Sequence, residues 1–299
     1  MSPPRPVFPG KTYLVTRRCS QREFLLRPSP TANAVYLYLL AVAARRHGIL
    51  VHGYCVMSNH VHLVITDPDG CLPKFKQYLN SLVARAMNVA LRRSEAFWAS
   101  NVKYSAVSLE SPSDVLEKAV YVLANPVAAG LVASGREWPG AWSAPELLGS
   151  GSILLHRPSF FFRKKGPMPE TAELELTAPP GFGSNDEFRI MLAEALASRE
   201  SDIQASMTAE DREFLGRRAV LAQRTSARPS TREEFGALHP AVASRDKWKR
   251  IEALAQLVAF RREYRIALAK LRGGVRDVVF PRGTYWLRIA HGVRCEAAA

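Results

Sequence analysis

Cysteine is scarce in this chain. Four residues in 299 (Cys19, Cys55, Cys71, Cys295) show no CxxC spacing, so no disulfide framework is expected and reduced, cytosolic thiols are the plain reading. Long apolar runs are missing too. The longest, Ala34–Ala44, is interrupted by tyrosines and ends in Arg45-Arg46, too short to span a bilayer, so no membrane partner is expected. The first ten residues, MSPPRPVFPG, hold no apolar h-region, and no secretory signal is expected. No internal repeat is visible. Acidic residues are also in deficit, 27 against 41 Lys+Arg, for a net charge of +14. Residues 1–105 carry 14 basic and 4 acidic side chains, a balance that attracts polyanions, of which nucleic acid is the usual one. A basic surface that merely aids solubility is the alternative.

Against that background, the stretch GYCVMSNHVHLVITD (53–67) is the most informative. Ser58-Asn59 is turn chemistry between two apolar-rich runs, Ile49–Met57 and Val61–Thr66, which makes the region a hairpin. His60 and His62 then stand two apart on its second strand. Side chains at i and i+2 share a face, so both imidazoles project together, close enough to share one metal ion, while Val61 and Leu63 turn to the core. By itself a His-x-His reads equally well as two strand histidines hydrogen-bonded locally.

The surrounding pattern is strand, helix, strand, strand, helix, strand. Tyr13–Arg18 reads as the first strand. Pro30 and Thr31 open an apolar helix running to about His47, with Gly48 as its stop. After the hairpin, Asp67-Pro-Asp-Gly70 is a turn, and Leu72, Phe75, Leu79, Leu82 and Ala86 recur at helical spacing to about Arg92. Lys74, Lys76 and Arg85 fall largely off that stripe. A short fourth strand is expected at Lys103–Leu109. The fold class is therefore α+β: a ferredoxin-like (RRM-like) antiparallel sheet with helices on one face, residues 1–148.

A further helix begins at Ser113, with Ser113-Asp114 as its cap. Leu116, Ala119, Val120, Leu123 and Val127 form its apolar stripe. Tyr121 and Asn125 lie four apart, on one face nearly opposite that stripe. Beyond Trp142 the composition shifts. Residues 149–184, rich in Pro and Gly, read as linker and extended segments. Residues 185–299 read as a mainly helical C-terminal extension, with helices at 185–223 and 245–272 and a hairpin around Pro281-Arg-Gly283. Residues 149–299 carry 25 basic and 18 acidic side chains, so this part is a second candidate for contact with nucleic acid.

The text YCVMSNHVHLVI (54–65), FWAS (97–100) and YVLANPVAAGLV (121–132) gives residues 10–142 a resemblance to the REP-associated tyrosine transposases. These belong to the wider class of single-tyrosine, His-hydrophobic-His nucleases of bacterial insertion sequences. The resemblance covers slightly under half of the chain. It implies metal-dependent cleavage and rejoining of single-stranded, hairpin-bearing DNA from palindromic repeat elements, in a bacterial, cytoplasmic and nucleoid-associated setting. Tyr121 would be the nucleophile, forming a covalent 5′-phosphotyrosine link and freeing a 3′-hydroxyl. His60 and His62 would hold a divalent ion, with Asn125 at the position of a third ligand. The ion implied is Mg²⁺ or Mn²⁺, and two imidazoles suit Mn²⁺ at least as well. Structural Zn²⁺ lacks a fourth ligand in view. A phenol is a poor nucleophile at neutral pH and needs a nearby positive charge or base, which the ion would supply. Relatives of the insertion-sequence type work as dimers, so a homodimer is an expectation, although no dimer surface is legible.

Arg17, Arg18, Lys74, Lys76 and Arg85 are candidates for phosphate contacts. Phe97 and Trp98 could stack on unpaired bases, although core packing is the better reading of Trp98. Two departures from the family pattern stand out. Ala128 occupies a position where relatives more often carry arginine, and Pro126 directly after Asn125 should disturb the helix. Two other functions fit parts of the sequence. One is a non-cleaving, structure-specific nucleic-acid-binding protein derived from a transposase. The other is a His-x-His metallohydrolase acting on a small phosphoester, which leaves the charge imbalance unexplained.

Overall fold

The computed structural model describes residues 4–100, 105–231 and 240–297. At its centre lie four antiparallel strands: β1 (Lys11–Arg18), β2 (Leu50–Val56), β3 (His60–Asp67) and β4 (Ser105–Leu109). Their order is β2-β3-β1-β4, and a two-residue strand, β7 (Val242–Ala243), adds parallel to β4. With α1 (Pro30–His47) between β1 and β2, and α2 (Leu72–Ala90) between β3 and β4, this is the expected α+β, ferredoxin-like arrangement. Of the expected fourth strand, Lys103 and Tyr104 lie outside the described residues.

Local chemistry sets the boundaries. Ser29 caps α1 by accepting from the Ala32 N–H, and Gly48 ends it at φ 61°, a left-handed position that glycine fills without strain. Ser58 and Asn59 form the two-residue loop of the β2–β3 hairpin, closed by Met57 N–H donating to the His60 carbonyl at 2.9 Å. The fully buried carboxylate of Asp67 accepts from the Cys71 and Leu72 amides at 2.9 and 2.7 Å, which fixes the turn into α2.

Strand β3 is interior to the sheet, and from Val61 to Asp67 it is buried throughout, so both of its faces are covered. Helix α1, apolar almost all round, packs against α2 and against a hairpin of β5 (Ser152–His156) and β6 (Thr171–Glu175). The other face of β3 is met by α3 (Pro112–Leu123), which also packs on α5 (Asn185–Ala209).

Residues 149–184, expected as linker and extended segments, contain the paired strands β5 and β6, and Ala172, Leu174 and Leu176 are buried in the main core. Phe188, Leu192 and Leu196 of α5 and Val220 of α6 (Arg217–Ala222) join the same core. The helix expected over 245–272 is α7 (Lys247–Arg272), capped by the Asp246 carboxylate. The hairpin expected at Pro281–Gly283 does not form. Instead β8 (Val279–Phe280) and β9 (Arg294–Cys295) pair in parallel, because the one-and-a-half-turn helix α8 (Trp286–His291) carries the chain back between them. Among the described residues no helix is long and apolar enough to cross a membrane.

Candidate active site

Three elements meet at the N-terminal end of β3. Register opposes Thr16 of β1 to His62 and Arg18 to His60, so these four side chains share one face of the sheet. Arg17 is opposite Val61 and faces the other way, where its guanidinium lies 5.8 Å from the Trp98 ring. Helix α3 covers the histidine face. Its cap is Ser111, whose hydroxyl accepts from the Asp114 N–H, not the Ser113-Asp114 pair expected from the sequence. Buried Val115, Ala119, Val122 and Leu123 hold the helix down, leaving Tyr121 outward with 48% of its surface exposed.

Pro126 does interrupt this helix. α3 stops at Leu123, and a single turn, α4 (Asn125–Ala128), follows. Proline offers no N–H, and one substitute donor stands beside the break. Ala124 N–H keeps the regular helical bond to the Val120 carbonyl at 2.8 Å, and the Trp142 indole donates to the Leu123 carbonyl at 3.0 Å. Asn125 is thereby kept near Tyr121 and turned toward the sheet.

The result is a cluster of four groups. The His60 and His62 rings are 4.6 Å apart, edge to face, and His62 is 5.4 Å from the Tyr121 ring. The Asn125 amide nitrogen lies 3.4 Å from His62 Nε2, and the Asn125 side chain also hydrogen-bonds His60. Each imidazole is anchored through its far nitrogen. His60 Nδ1–H donates to Asn59 Oδ1 at 2.6 Å, and His62 Nδ1 pairs with Thr16 Oγ1 at 2.9 Å. With Nδ1 so occupied, His62 Nε2 is the ring nitrogen that faces Asn125.

Burial sets the charge of the pair. Desolvation pushes His60 down to about 4, opposed by the Asn125 hydrogen bond and aided by the Arg18 charge. His62, only 4% exposed, is driven well below the ordinary histidine value by burial and then by His60. Both rings are neutral at pH 7 and are electron-pair donors rather than acids. Two imidazole nitrogens and one amide oxygen form a mixed donor set that fits a divalent cation, provided Asn125 turns its oxygen, not its nitrogen, inward. Among the described residues no group of three His, Cys, Asp or Glu could hold a metal.

The other candidates divide. Arg18 belongs to the cluster. Lys76 does not point outward as its position off the stripe implied: it is 2% exposed, and burial drives its ammonium well below the ordinary lysine range. It is therefore removed from the surface where phosphates would bind. Lys74 and Arg85 are exposed on α2, across the sheet from the histidines. Phe97 and Trp98 are core residues, and the Trp98 indole donates to the Asn80 carbonyl at 2.8 Å. Sequence reasoning missed Thr16 and Asn59. Asn59 had been read only as a turn residue, and the importance of Thr16 depends on a cross-strand register with no local signature.

No family model matches the chain, and no curated protein matches it. Among solved structures it is similar to a REP-associated tyrosine transposase bound to a REP hairpin, at 17% identity and a TM-score of 0.40, over 47% of this chain and 81% of that one. It is also similar to a candidate transposase from Deinococcus radiodurans, at 20% identity and a TM-score of 0.29, over 40% of this chain and 93% of that one.

Proposed function

We propose that this protein cleaves and rejoins single-stranded DNA, with Tyr121 as the nucleophile. The observation that carries the reading is an exposed tyrosine ring 5.4 Å from His62, on the helix that also brings Asn125 to that histidine. An exposed phenol beside neutral imidazoles and an arginine suits attack on a phosphate ester better than a core role does. In the step proposed, Tyr121 Oη bonds to the scissile phosphorus as the bond to the 3′-oxygen breaks. The phenol gives up its proton, the departing oxygen gains one, and the product is a 5′-phosphotyrosine with a free 3′-hydroxyl. Because one phosphoester replaces another, attack by a 3′-hydroxyl reverses the step without ATP.

His60 and His62 Nε2, with the Asn125 amide oxygen, would hold Mg²⁺ or Mn²⁺, which when bound would polarise the phosphate and stabilise negative charge on its oxygens. Thr16 and Asn59 keep both imidazoles in the donor tautomer. Arg18, across from His60, is suited to a phosphate oxygen of the incoming strand. Hairpin-bearing DNA is the substrate to offer first, on the strength of the His-Val-His and Tyr-to-Asn-Pro-Val motifs.

The test is incubation with end-labelled hairpin oligonucleotides from the gene's own flanks, with Mn²⁺ or Mg²⁺, resolved on a denaturing protein gel. A labelled adduct that requires metal and vanishes in Tyr121→Phe is expected. Tight binding without adduct or cut on several such substrates would replace this reading with the non-cleaving one. Cleavage that survives Tyr121→Phe would point to the metallohydrolase instead.

A further inference from the structure

The Ser58-Asn59 turn that precedes His60 is gripped from outside its own hairpin. The loop Cys19–Arg27, which leaves β1, wraps around it. The Cys19 N–H donates to the Asn59 carbonyl at 2.7 Å and the Leu26 N–H to the Ser58 carbonyl at 2.9 Å. The Asn59 side chain is held as well, its Nδ2 donating to the Arg22 carbonyl at 3.3 Å. A carbonyl can only accept, so this contact settles which way round the Asn59 amide stands and leaves Oδ1 for His60 Nδ1–H.

An unfavourable backbone delivers that carbonyl. Gln21 and Arg22 lie at φ 49° and 62°, two successive left-handed residues of which neither is glycine. Such a pair persists only where its surroundings hold it. Here the surroundings are residues 221–231 of the C-terminal half. The Phe24 N–H donates to the Ala227 carbonyl at 3.0 Å, and Arg27 Nη1 donates to the Leu221 carbonyl at 2.7 Å. The Arg22 guanidinium donates to both oxygens of Thr231, the carbonyl at 2.5 Å and the hydroxyl at 2.9 Å. Arg228 reaches back to Gln21 Oε1 at 2.5 Å and to Glu23 Oε1 at 3.0 Å. The start of this segment is fixed in turn, since Val220 just before it is buried in the main core. Each exposed bond alone holds little, but together they engage the side chains of both left-handed residues and the backbone that follows.

We infer that residues 221–231 are a positioning strap for the histidine site. By holding the Gln21–Arg22 turn, the strap sets the Arg22 carbonyl against Asn59. The oriented amide then keeps His60 in the tautomer protonated at Nδ1, with Nε2 as the electron-pair donor. Arg22 and Arg228 are positioning residues that act through Asn59 and do not touch the cation. The C-terminal half thereby takes part in the active site without supplying a ligand. The consequence for Mn²⁺ affinity rests on the proposal that His60 and His62 hold a divalent ion; the consequence for the tautomer does not.

Nitrogen-15 NMR of the metal-free protein, labelled at histidine, reads the tautomer of each ring, and Mn²⁺ titration reads the consequence. Arg22→Ala and Arg228→Ala should move His60 off the Nδ1–H form and leave His62, held by Thr16, unchanged. Both should weaken Mn²⁺ binding about tenfold, as loss of an orienting partner does. Arg22→Gly loses the same guanidinium but adopts a left-handed φ without strain, so it should return the His60 tautomer and recover most of the Mn²⁺ affinity. His60 held at Nδ1–H with wild-type Mn²⁺ affinity in both alanine variants would overturn the inference. Equal losses in Arg22→Ala and Arg22→Gly would overturn it too, by making the guanidinium itself a direct participant. So would a shift of His62 together with His60, which would mean general loosening of the site. A strap-dependent His60 tautomer in a protein whose wild type binds no Mn²⁺ would sink the divalent-ion reading and keep the strap.

Discussion

Thr16 offers the sharpest test of how the histidine pair is held. Thr16→Val keeps the side-chain volume and deletes one atom, the Oγ1 that lies 2.9 Å from His62 Nδ1. His62 is 4% exposed, so water cannot easily replace the lost partner. An unsatisfied buried polar nitrogen costs about 1–3 kcal/mol, and urea unfolding should register a loss in that range. The alternative open to the ring is to move its proton to Nε2, which relieves nothing at the cluster because it removes the lone pair facing Asn125. Loss of such an orienting partner typically weakens metal affinity 10- to 100-fold, or about 1.4–2.7 kcal/mol. Titration with Mn²⁺, followed by calorimetry or paramagnetic line broadening, reads that number directly. Thr12→Val is the control. Its hydroxyl, four residues back on the same strand, pairs with Thr66 Oγ1 at 2.7 Å and lies about 13 Å from the cluster. It should cost comparable stability and leave Mn²⁺ affinity alone. Equal Mn²⁺ affinities for the two variants would refute the idea that Thr16 sets the donor tautomer of His62.

Three further outcomes follow from other parts of the fold. Buried His52 is pushed down to about 4 by desolvation, partly offset by its Nδ1–H donating to the Thr177 carbonyl at 2.7 Å. It folds neutral but is free to protonate near 6.5 when unfolded, so its contribution is complete above about pH 6.5 and is lost as pH falls toward 4, by about 2 kcal/mol at pH 5. Urea midpoints at pH 7.5 and 5 should show this loss in addition to that from buried His60 and His62, and His52→Phe should lose less by that amount; a His52 imidazole titrating near 6.5 in the folded protein by NMR would contradict it. Gly140→Ala should cost roughly 1–3 kcal/mol, because a Cβ there would sit 2.8 Å from the Val56 carbonyl and press on the Trp138 indole that donates to it; thermal melts would detect an unexpectedly tolerated change. Arg18→Ala should weaken single-strand binding and reduce its salt slope by about one, whereas Lys76→Met should leave both within twofold, since Lys76 is buried away from any phosphate; the reverse ranking in anisotropy titrations would restore the original reading of Lys76.

What was legible in the sequence was whatever a short-range period could carry. The His-Val-His spacing, the Ser-Asn turn before it and the Pro30 start and Gly48 stop of α1 are all local, and each fixes a face or a boundary directly. Lys76 was misread because the apolar stripe marks only the most buried line of α2. That helix is flanked closely enough that a residue beside the line is buried as well. The segment Thr171–Glu175 lies where extended chain was expected, but its pairing with Ser152–His156 and its packing on α1 are tertiary contacts that no local pattern carries. Helix α7 shows a deeper limit. It carries one apolar stripe that is packed, Leu257, Phe260 and Ala267, and another that is exposed, Trp248, Ile251, Leu254 and Val258. Periodicity reports that both exist, and only tertiary structure says which one has a partner.

The break after Leu123 leaves the i, i+4 relation of Tyr121 and Asn125 in place. In an uninterrupted helix, Tyr121 and Asn125 would stack one turn apart and project in nearly the same direction. Here Pro126 removes a donor, yet Ala124 N–H keeps its bond to the Val120 carbonyl and the Trp142 indole donates to the Leu123 carbonyl. Bonds from Ala128 to the Ala124 carbonyl and from Ala129 to Asn125 then resume the helical ladder. Tyr121 and Asn125 therefore still meet the same imidazole, the Tyr121 ring 5.4 Å and the Asn125 amide nitrogen 3.4 Å from His62. Access and exclusion of water are divided along that one face: Tyr121 keeps 48% of its surface exposed for a large substrate, whereas His62 beneath it keeps 4%.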